Sequence, residues 1–426
     1  MQTSTTRFQT LQEWLAWQET LHPTAIDLEL ERVSAVADAL HLRTEVPTTV
    51  TVAGTNGKGS TVAILEALYR AAGYRVLACT SPHLMRFSER FSLDGRPVED
   101  AAIIESLERV EAARGTTPLT FFEHTTLAGL DLAGRERVEV LILEIGLGGR
   151  LDAANVVDPD VGVVTTIGLD HQAWLGDDLD SIGREKAGIA RPGRPLVIGQ
   201  PSPPAGLLEA AKETGARLIR AGEDFQVESG AGHWVLGFNG RRLKLPLPAL
   251  AGAHQQANAA AAWVAACSLN HICPVREDHL RTALATVSLP GRFQRLARQP
   301  EIILDVAHNA QAAEGLAAGL DDGFSGRTIG VVAMLADKGP VAMARVLDSR
   351  VDHWLCAGLS GPRGRSGQDL ARTLCNIPVT GPVEGLESVS TSLNRARELA
   401  RVADRIVIFG SFYTVAEALK ALEQER

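Results

Sequence analysis

The stretch Thr48–Gly73, TTVTVAGTNGKGSTVAILEALYRAAG, decides how the chain is read. A β-branched run ends at Gly54, a tight polar loop follows, and a helical pattern opens near Ser60. In that order of strand, loop and helix, backbone N–H groups and the helix start close on an anion such as phosphate. Gly54, Gly57 and Gly59 suit such a loop, because a side chain there would clash or forbid positive φ. Lys58 is placed to meet outer phosphates as a point charge. Ser60 and Thr61 offer hydroxyls to a metal or to the helix start. Only Thr55 and Asn56 precede the Gly57-Lys58 pair, where the common pattern has about four residues, and Gly59 stands where Ser or Thr is expected. A plain glycine-rich turn is the competing reading.

At 426 residues the chain exceeds one ordinary core, so two domains are expected. A net charge of −9 argues against a nucleic-acid-binding protein, whose footprint would be basic, though a local basic pocket for anionic substrates remains compatible. The opening MQTSTTRFQT has no apolar core and does not read as a secretory signal. No apolar run reaches the roughly 18 residues of a membrane span. Cys79, Cys267, Cys273, Cys356 and Cys375 show neither CxxC nor metal-like spacing, which fits reduced thiols in a cytoplasmic protein.

Residues 8–42 carry apolar positions at helical spacing, broken at His22-Pro23. After the loop helix, with Gly73 as its expected stop, Arg75–Cys79 reads as a strand leading into Thr80-Ser81-Pro82-His83. Val138–Ile145, Val161–Ile167 and Pro195–Ile198 read as buried parallel strands with polar residues at their carboxyl ends. Phe225–Leu247, with its Asn239-Gly240 turn signal, reads as a small antiparallel excursion. Helices are expected at His254–Asn270 and Glu277–Val287. SLPGRFQ (288–294) is the best boundary, and a second α/β alternation follows it. Its expected strands are Ile302–Val306, Thr328–Ala333, His353–Ala357 and Arg405–Phe409. Its expected helices are Gln311–Leu320, Val341–Leu347, Gln368–Leu374, Leu386–Arg401 and Thr414–Gln424.

Ligands in open α/β sheets bind beyond the carboxyl ends of the strands. Glu144, Asp170, His171 and Ser81 all fall at or just past such ends. A serine oxygen, a carboxylate and an imidazole form a workable metal shell, although Mg²⁺ prefers oxygen. Read singly, each has a plainer explanation: a strand-end ion pair for Glu144, a structural histidine for His171, a turn residue for Ser81.

Taken together, ten stretches resemble one family. They are LHPTAIDLELERV (21–33), VAGTNGKGST (52–61), TSPHL (80–84), LTFFEHTTLA (119–128), LEIGLGGRLDAANVV (143–157), LDHQAWLG (169–176), REKAGIA (184–190), LPGRFQ (289–294), LDVAHNAQAA (304–313) and IFGSFYTVA (408–416). In this order they are similar to folylpolyglutamate synthase/dihydrofolate synthase, a branch of the Mur-type ATP-dependent amide ligases. The set is specific, and no single member is.

The resemblance implies an α/β protein of two domains. Residues 1–290 would form a P-loop Mur-ligase-like ATPase domain with a mainly parallel sheet and a small antiparallel excursion. Residues 291–426 would form a Rossmann-like domain supplying the glutamate site and part of the ATP site. Thr55, Asn56, Gly57, Lys58, Gly59, Ser60, Asn258, Arg292 and Asp305 would bind ATP. Ser81, Glu144 and His171 would bind Mg²⁺, with two ions expected and no organic cofactor. Thr120, Phe121, Phe122 and Glu123, with Leu151, Asp152 and Ala153, match the region that receives the pterin substrate. Lys186 matches a lysine that is carbamylated and supports the second metal. His308 lies in a motif assigned here only loosely to glutamate. Without the resemblance, the Phe121-Phe122 pair reads as core, Lys186 as an exposed lysine and Arg292 as a linker residue.

The implied reaction joins L-glutamate to dihydropteroate and to reduced folates through an acyl phosphate. The implied enzyme is cytoplasmic and monomeric, with small-molecule partners and neither nucleic acid nor membrane. The alternatives are a UDP-muramyl-peptide ligase of the same class, which the GKGST and FFEHTT segments disfavour, and a nucleotide-dependent pterin-binding protein without ligation.

Overall fold

The structure is a computed structural model that describes residues 7–24, 26–44, 46–321 and 323–424. Residues 1–6 of the opening stretch and Ala25 of the first quoted motif lie outside the described residues. The chain divides into two compact units. One is Met1–Ala249 with Gln256–Val287, and the other is Leu250–Gln255 with Ser288–Arg426.

The first unit is built on an eight-stranded sheet ordered β4-β3-β2-β5-β1-β6-β7-β8. Its strands are β1 (Thr48–Ala53), β2 (Val76–Cys79), β3 (Phe91–Leu93), β4 (Arg96–Pro97), β5 (Val140–Glu144), β6 (Val161–Val164), β7 (Pro195–Ile198) and β8 (Arg217–Arg220). From β2 to β8 every pairing is parallel, and β3 and β4 add an antiparallel edge. The helices are α1 (Leu11–Gln18), α2 (Glu31–Ala39), α3 (Lys58–Ala71), α4 (Asp100–Arg114), α5 (Phe121–Arg135), α6 (Gln172–Leu175), α7 (Leu179–Ala187), α8 (Ala205–Glu213), α9 (His254–Ser268), whose His254 and Gln255 belong to the second unit, and α10 (Glu277–Thr286). Strands β5 and β6 are buried throughout and β1 beyond its first residue, because a strand covered on both faces cannot alternate apolar with polar. α3 buries Val62, Ile64, Leu65, Leu68 and Tyr69 on one face, and Gly73 at φ 91° ends it.

Beside this sheet stands the antiparallel trio β9 (Phe225–Gly230), β10 (His233–Phe238) and β11 (Arg241–Pro246). Asn239 and Gly240, both at positive φ, make the tight turn between β10 and β11. Trp234 and Leu236 of β10 are buried at alternate positions.

The second unit holds a six-stranded sheet ordered β12-β13-β17-β14-β15-β16. It comprises β12 (Gln294–Arg298), β13 (Glu301–Leu304), β14 (Thr328–Val332), β15 (His353–Ala357), β16 (Val383–Leu386) and β17 (Arg405–Phe409). Only β12 runs antiparallel. Helices α11 (Ala310–Leu320), α12 (Pro340–Leu347), α13 (Gly367–Cys375), α14 (Val389–Leu399) and α15 (Phe412–Glu423) accompany it, and Trp354 and Phe409 meet edge to face in its core.

Two expectations change. The helix expected from Leu386 is a strand up to that residue, paired with β15. The helix begins only after Ser388, whose hydroxyl accepts the Thr391 N–H at 3.1 Å. The strand expected to reach Ile167 stops at Val164, because the next residues turn to the glycine-rich loop. Among the described residues no helix is long and apolar enough to cross a membrane.

Candidate active site

Parallel pairing brings the motif residues of the first unit to one end of its sheet. Register places Glu144 beside Val52 and Val164 beside Ala53, so the ends of β5 and β6 flank the start of the glycine-rich loop. Within that loop Gly54 (φ 148°) and Gly57 (φ 86°) admit no side chain. A Cβ on Gly54 would fall 1.9 Å from Thr165 Oγ1, and one on Gly57 2.6 Å from Asn258 Oδ1. Asn258, buried on α9, thus closes over the residue that caps α3. Lys58 Nζ donates to the carbonyls of Gly54 at 2.9 Å and Thr55 at 3.3 Å. Ser60 and Thr61 are buried in the first turn of α3.

The loop is braced by residues that sequence reasoning missed. Thr165 Oγ1 donates to the Asn56 carbonyl at 2.6 Å, and Thr166 Oγ1 donates to it at 3.1 Å. Thr55 N–H donates to the Thr166 carbonyl at 2.7 Å, and Gly168 N–H donates to Thr55 Oγ1 at 3.0 Å. The available signal was two threonines ending an otherwise apolar strand.

Ser81 N–H donates to Glu144 Oε2 at 3.3 Å, so these two candidates meet, with the Glu144 side chain nearly buried. His171 stands past the end of β6 at φ 51°, exposed, its Nε2 4.0 Å from Asp170 Oδ1. Among the described residues no three His, Cys, Asp or Glu side chains converge into a metal cage. The Ser81 hydroxyl and the Glu144 carboxylate are oxygen donors of the kind that a hard cation such as Mg²⁺ takes.

Lys186, on α7, is almost fully buried. Burial, and then the positive charge of Lys58, push its ammonium down to about 7, against the opposing charges of Asp170, Asp152 and Glu185. α7 lies tight against the GLGGR loop. A Cβ on Gly149 would sit 2.7 Å from the Glu185 carbonyl and 3.0 Å from Lys186 Cα, and Arg150 N–H donates to the Glu185 carbonyl at 3.0 Å. Asp152 is buried too; its carboxylate accepts from Leu147 N–H at 2.8 Å and Ala154 N–H at 2.9 Å. Burial outweighs those bonds and raises its carboxyl to about 6. Leu151 is half-buried and Ala153 buried beside it.

Across the loop, Thr120 caps α5 and forms a capping box with Glu123. Phe121 and Phe122 are half-buried. Phe122 packs against Gly146, where a Cβ would approach its Cζ to 2.6 Å. Phe121 meets Phe87 edge to face at 5.9 Å, and the Arg90 guanidinium sits 5.5 Å from both rings. Glu123 is buried against Arg32, a partner nothing in the local sequence announces.

In the second unit Asp305 is half-buried and accepts from Phe293 N–H and Ala307 N–H, both at 2.8 Å. Burial raises its carboxyl, opposed by Arg292. The Arg292 guanidinium lies 5.0 Å from the Phe412 ring. His308 Nδ1 lies 2.9 Å from the Val306 carbonyl. His254 is a further member: burial lowers its pKa, Asp305 opposes that and Arg292 adds to it.

Residues 52–266 match the family model of the Mur ligase middle domain, and residues 291–412 match that of the Mur ligase glutamate ligase domain. Fold, glycine-rich loop and sheet-end carboxylates therefore define a Mur-type ligase. The chain is 42% identical to Escherichia coli dihydrofolate synthase/folylpolyglutamate synthase over 418 residues, covering 98% of this chain and 96% of that protein. The structure of E. coli FolC in complex with DHPP and ADP superposes with a TM-score of 0.93 at 41% identity, covering 98% of this chain and 99% of that one. A bifunctional folylpolyglutamate synthase/dihydrofolate synthase with Mn, AMPPNP and L-glutamate bound gives 0.89 at 41% identity, covering 97% and 98%. The chain belongs to the dihydrofolate synthase/folylpolyglutamate synthase family.

Proposed function

We propose that this chain is an ATP-dependent acid–amino acid ligase that joins L-glutamate to dihydropteroate, forming dihydrofolate, and to reduced folates, forming folylpolyglutamates. The observation that carries this reading is a glycine-rich loop at a helix start flanked by the end of β5, the contact of Ser81 with Glu144, and a buried lysine in the field of Lys58. The relatives' complexes with nucleotide, Mn and glutamate support it.

The acceptor carboxylate takes the γ-phosphoryl group of ATP, giving an acyl phosphate and ADP. The glutamate amine then attacks the acyl carbon and phosphate leaves, so no serine or cysteine nucleophile is needed. Lys58 and the start of α3 oppose the charge on the transferring phosphoryl group, and positioning supplies most of the rate. Thr55, Asn56, Gly57, Gly59, Ser60 and Asn258 form the loop side of the nucleotide site. Arg292 and Asp305 are assigned to nucleotide binding and His308 to glutamate. Ser81, Glu144 and His171 would hold Mg²⁺, with two ions in the full site. Bound there, the ion neutralises phosphate charge. Lys186, neutral above about pH 7, takes up CO₂ to give a carbamate and a proton, reversing its charge and adding oxygen donors. A cytoplasmic monomer completes the reading. The deciding experiment measures phosphate release with glutamate and each pterin acceptor in turn, with product masses. Release independent of acceptor, or no amide product, overturns it.

A further inference from the structure

The proposed acceptor wall is held by the buried carboxylate of Glu123. Arg32, on α2, donates Nε to Glu123 Oε1 at 2.8 Å and to Oε2 at 3.0 Å. Its Nη1 reaches Asp27 Oδ2 at 2.8 Å and Glu29 Oε2 at 3.3 Å, and Nη2 reaches the Asp27 carbonyl at 3.0 Å. Glu123 meanwhile accepts from Thr120 N–H at 2.7 Å, so one carboxylate ties the first turn of α5 to α2, 91 residues earlier. The next residue repeats the device: His124 Nδ1 lies 2.7 Å from Gln18 Nε2 of α1, both side chains buried. Burial pushes His124 down to about 3, so its ring is neutral and Nδ1 accepts the amide hydrogen. Phe121 and Phe122 occupy the same turn, and Phe122 has no clearance over Gly146.

Buried ion pairs add little net stability but demand one geometry, and removing one partner strands the other. We propose that Arg32 and Glu123 are positioning residues for the acceptor. Their fork sets the height of the α5 turn, and through it Phe121 and Phe122, while the nucleotide loop stands on separate braces. Glu123 is thereby reassigned from touching the acceptor to placing the residues that do. This rests on the reading of residues 120–123 as acceptor wall.

The test is steady-state kinetics of the full-length enzyme with dihydropteroate, alongside melting. Arg32→Met is expected to raise acceptor KM about tenfold or more and leave ATP KM within about twofold, since a uniform binding contribution is lost on one side only. Arg32→Lys should recover part of the loss, because one ammonium can meet Glu123 but cannot also hold Asp27 and Glu29 as the guanidinium does. Adding Glu123→Gln to Arg32→Met should make acceptor KM no worse. Should Arg32→Met fail to fold, Arg32→Lys and Glu123→Gln, which keep charge or shape, give the same readout. An unchanged acceptor KM in the folded variants, with or without a lower melting temperature, overturns the positioning role, as does a parallel rise in ATP KM. Wild type that forms no amide with any pterin acceptor would instead refute the functional reading itself.

Discussion

The glycine-rich loop and the α5 turn with residues 151–153, proposed above as nucleotide loop and acceptor wall, are built by opposite means. The loop is backbone and hydroxyl: Gly54 and Gly57 make room, and Thr165 and Thr166 brace the Asn56 carbonyl. The wall is buried charge: Glu123 on Arg32, Asp152 on backbone N–H groups, Lys186 in the field of Lys58. A loop of glycines tolerates almost no added atoms but is indifferent to pH. A wall of buried ionisable groups is sensitive to every charge moved near it.

Variants at five positions would break or sharpen that contrast. Lys58→Ala should cost about a thousandfold or more in ligation while melting stays near wild type, since the lysine acts on the transferring phosphoryl group. Near-normal turnover would show that the loop has been misread. Lys186→Ala should cost about a hundredfold, partly restored by short carboxylic acids that replace the carbamate oxygens.

The lysine also carries a pH signature. Its folded pKa lies below its ordinary value, so the unfolded chain binds the extra proton between about 7 and the usual lysine range, and stability rises with pH across that window. Lys186→Met should therefore raise the melting temperature more at pH 6 than at pH 9. Bicarbonate stripping should slow the wild type most at low pH, where the amine is protonated. An unmodified lysine by intact mass in an active preparation would remove the carbamate.

Glu144→Gln should raise the Mg²⁺ concentration for half-maximal rate about tenfold and spare acceptor KM, a carboxylate being the stronger hard ligand. Overlapping Mg²⁺ titrations would take Glu144 out of the metal shell. The smallest effect is on folding. Gly57→Ala should destabilise by about 1–2 kcal/mol from its left-handed backbone, plus its clash with Asn258. Asn258→Ala should relieve the clash and leave the backbone term. Identical denaturant midpoints for the single and double variants would show that Asn258 yields freely.

The loop was legible because its residues act on their own neighbours in sequence. Gly54, Gly57 and Lys58 announce the end of a strand, a turn and a helix; β1 stops one residue before Gly54, and α3 opens at Lys58, two residues before its expected start. Glu144 was legible as a polar residue ending an apolar strand. The partners of the wall were not. Arg32 and Glu123 lie 91 positions apart, and Lys186 reads as an exposed lysine until α7 is packed on Gly149. The strand β16 was hidden because four half-buried residues carry no helix or strand period by themselves.

By itself, then, the sequence determined a two-part α/β chain, the glycine-rich loop between strand and helix, a carboxylate at a strand end and, through its ordered motifs, the ligase family. Those depend on local conformation, set by glycine, proline and apolar period within a few residues. Only the tertiary structure decided which charges are buried, what each faces and so where each titrates. Desolvation and Coulomb terms act between groups far apart along the chain, and their size depends on distances that exist only once it is folded.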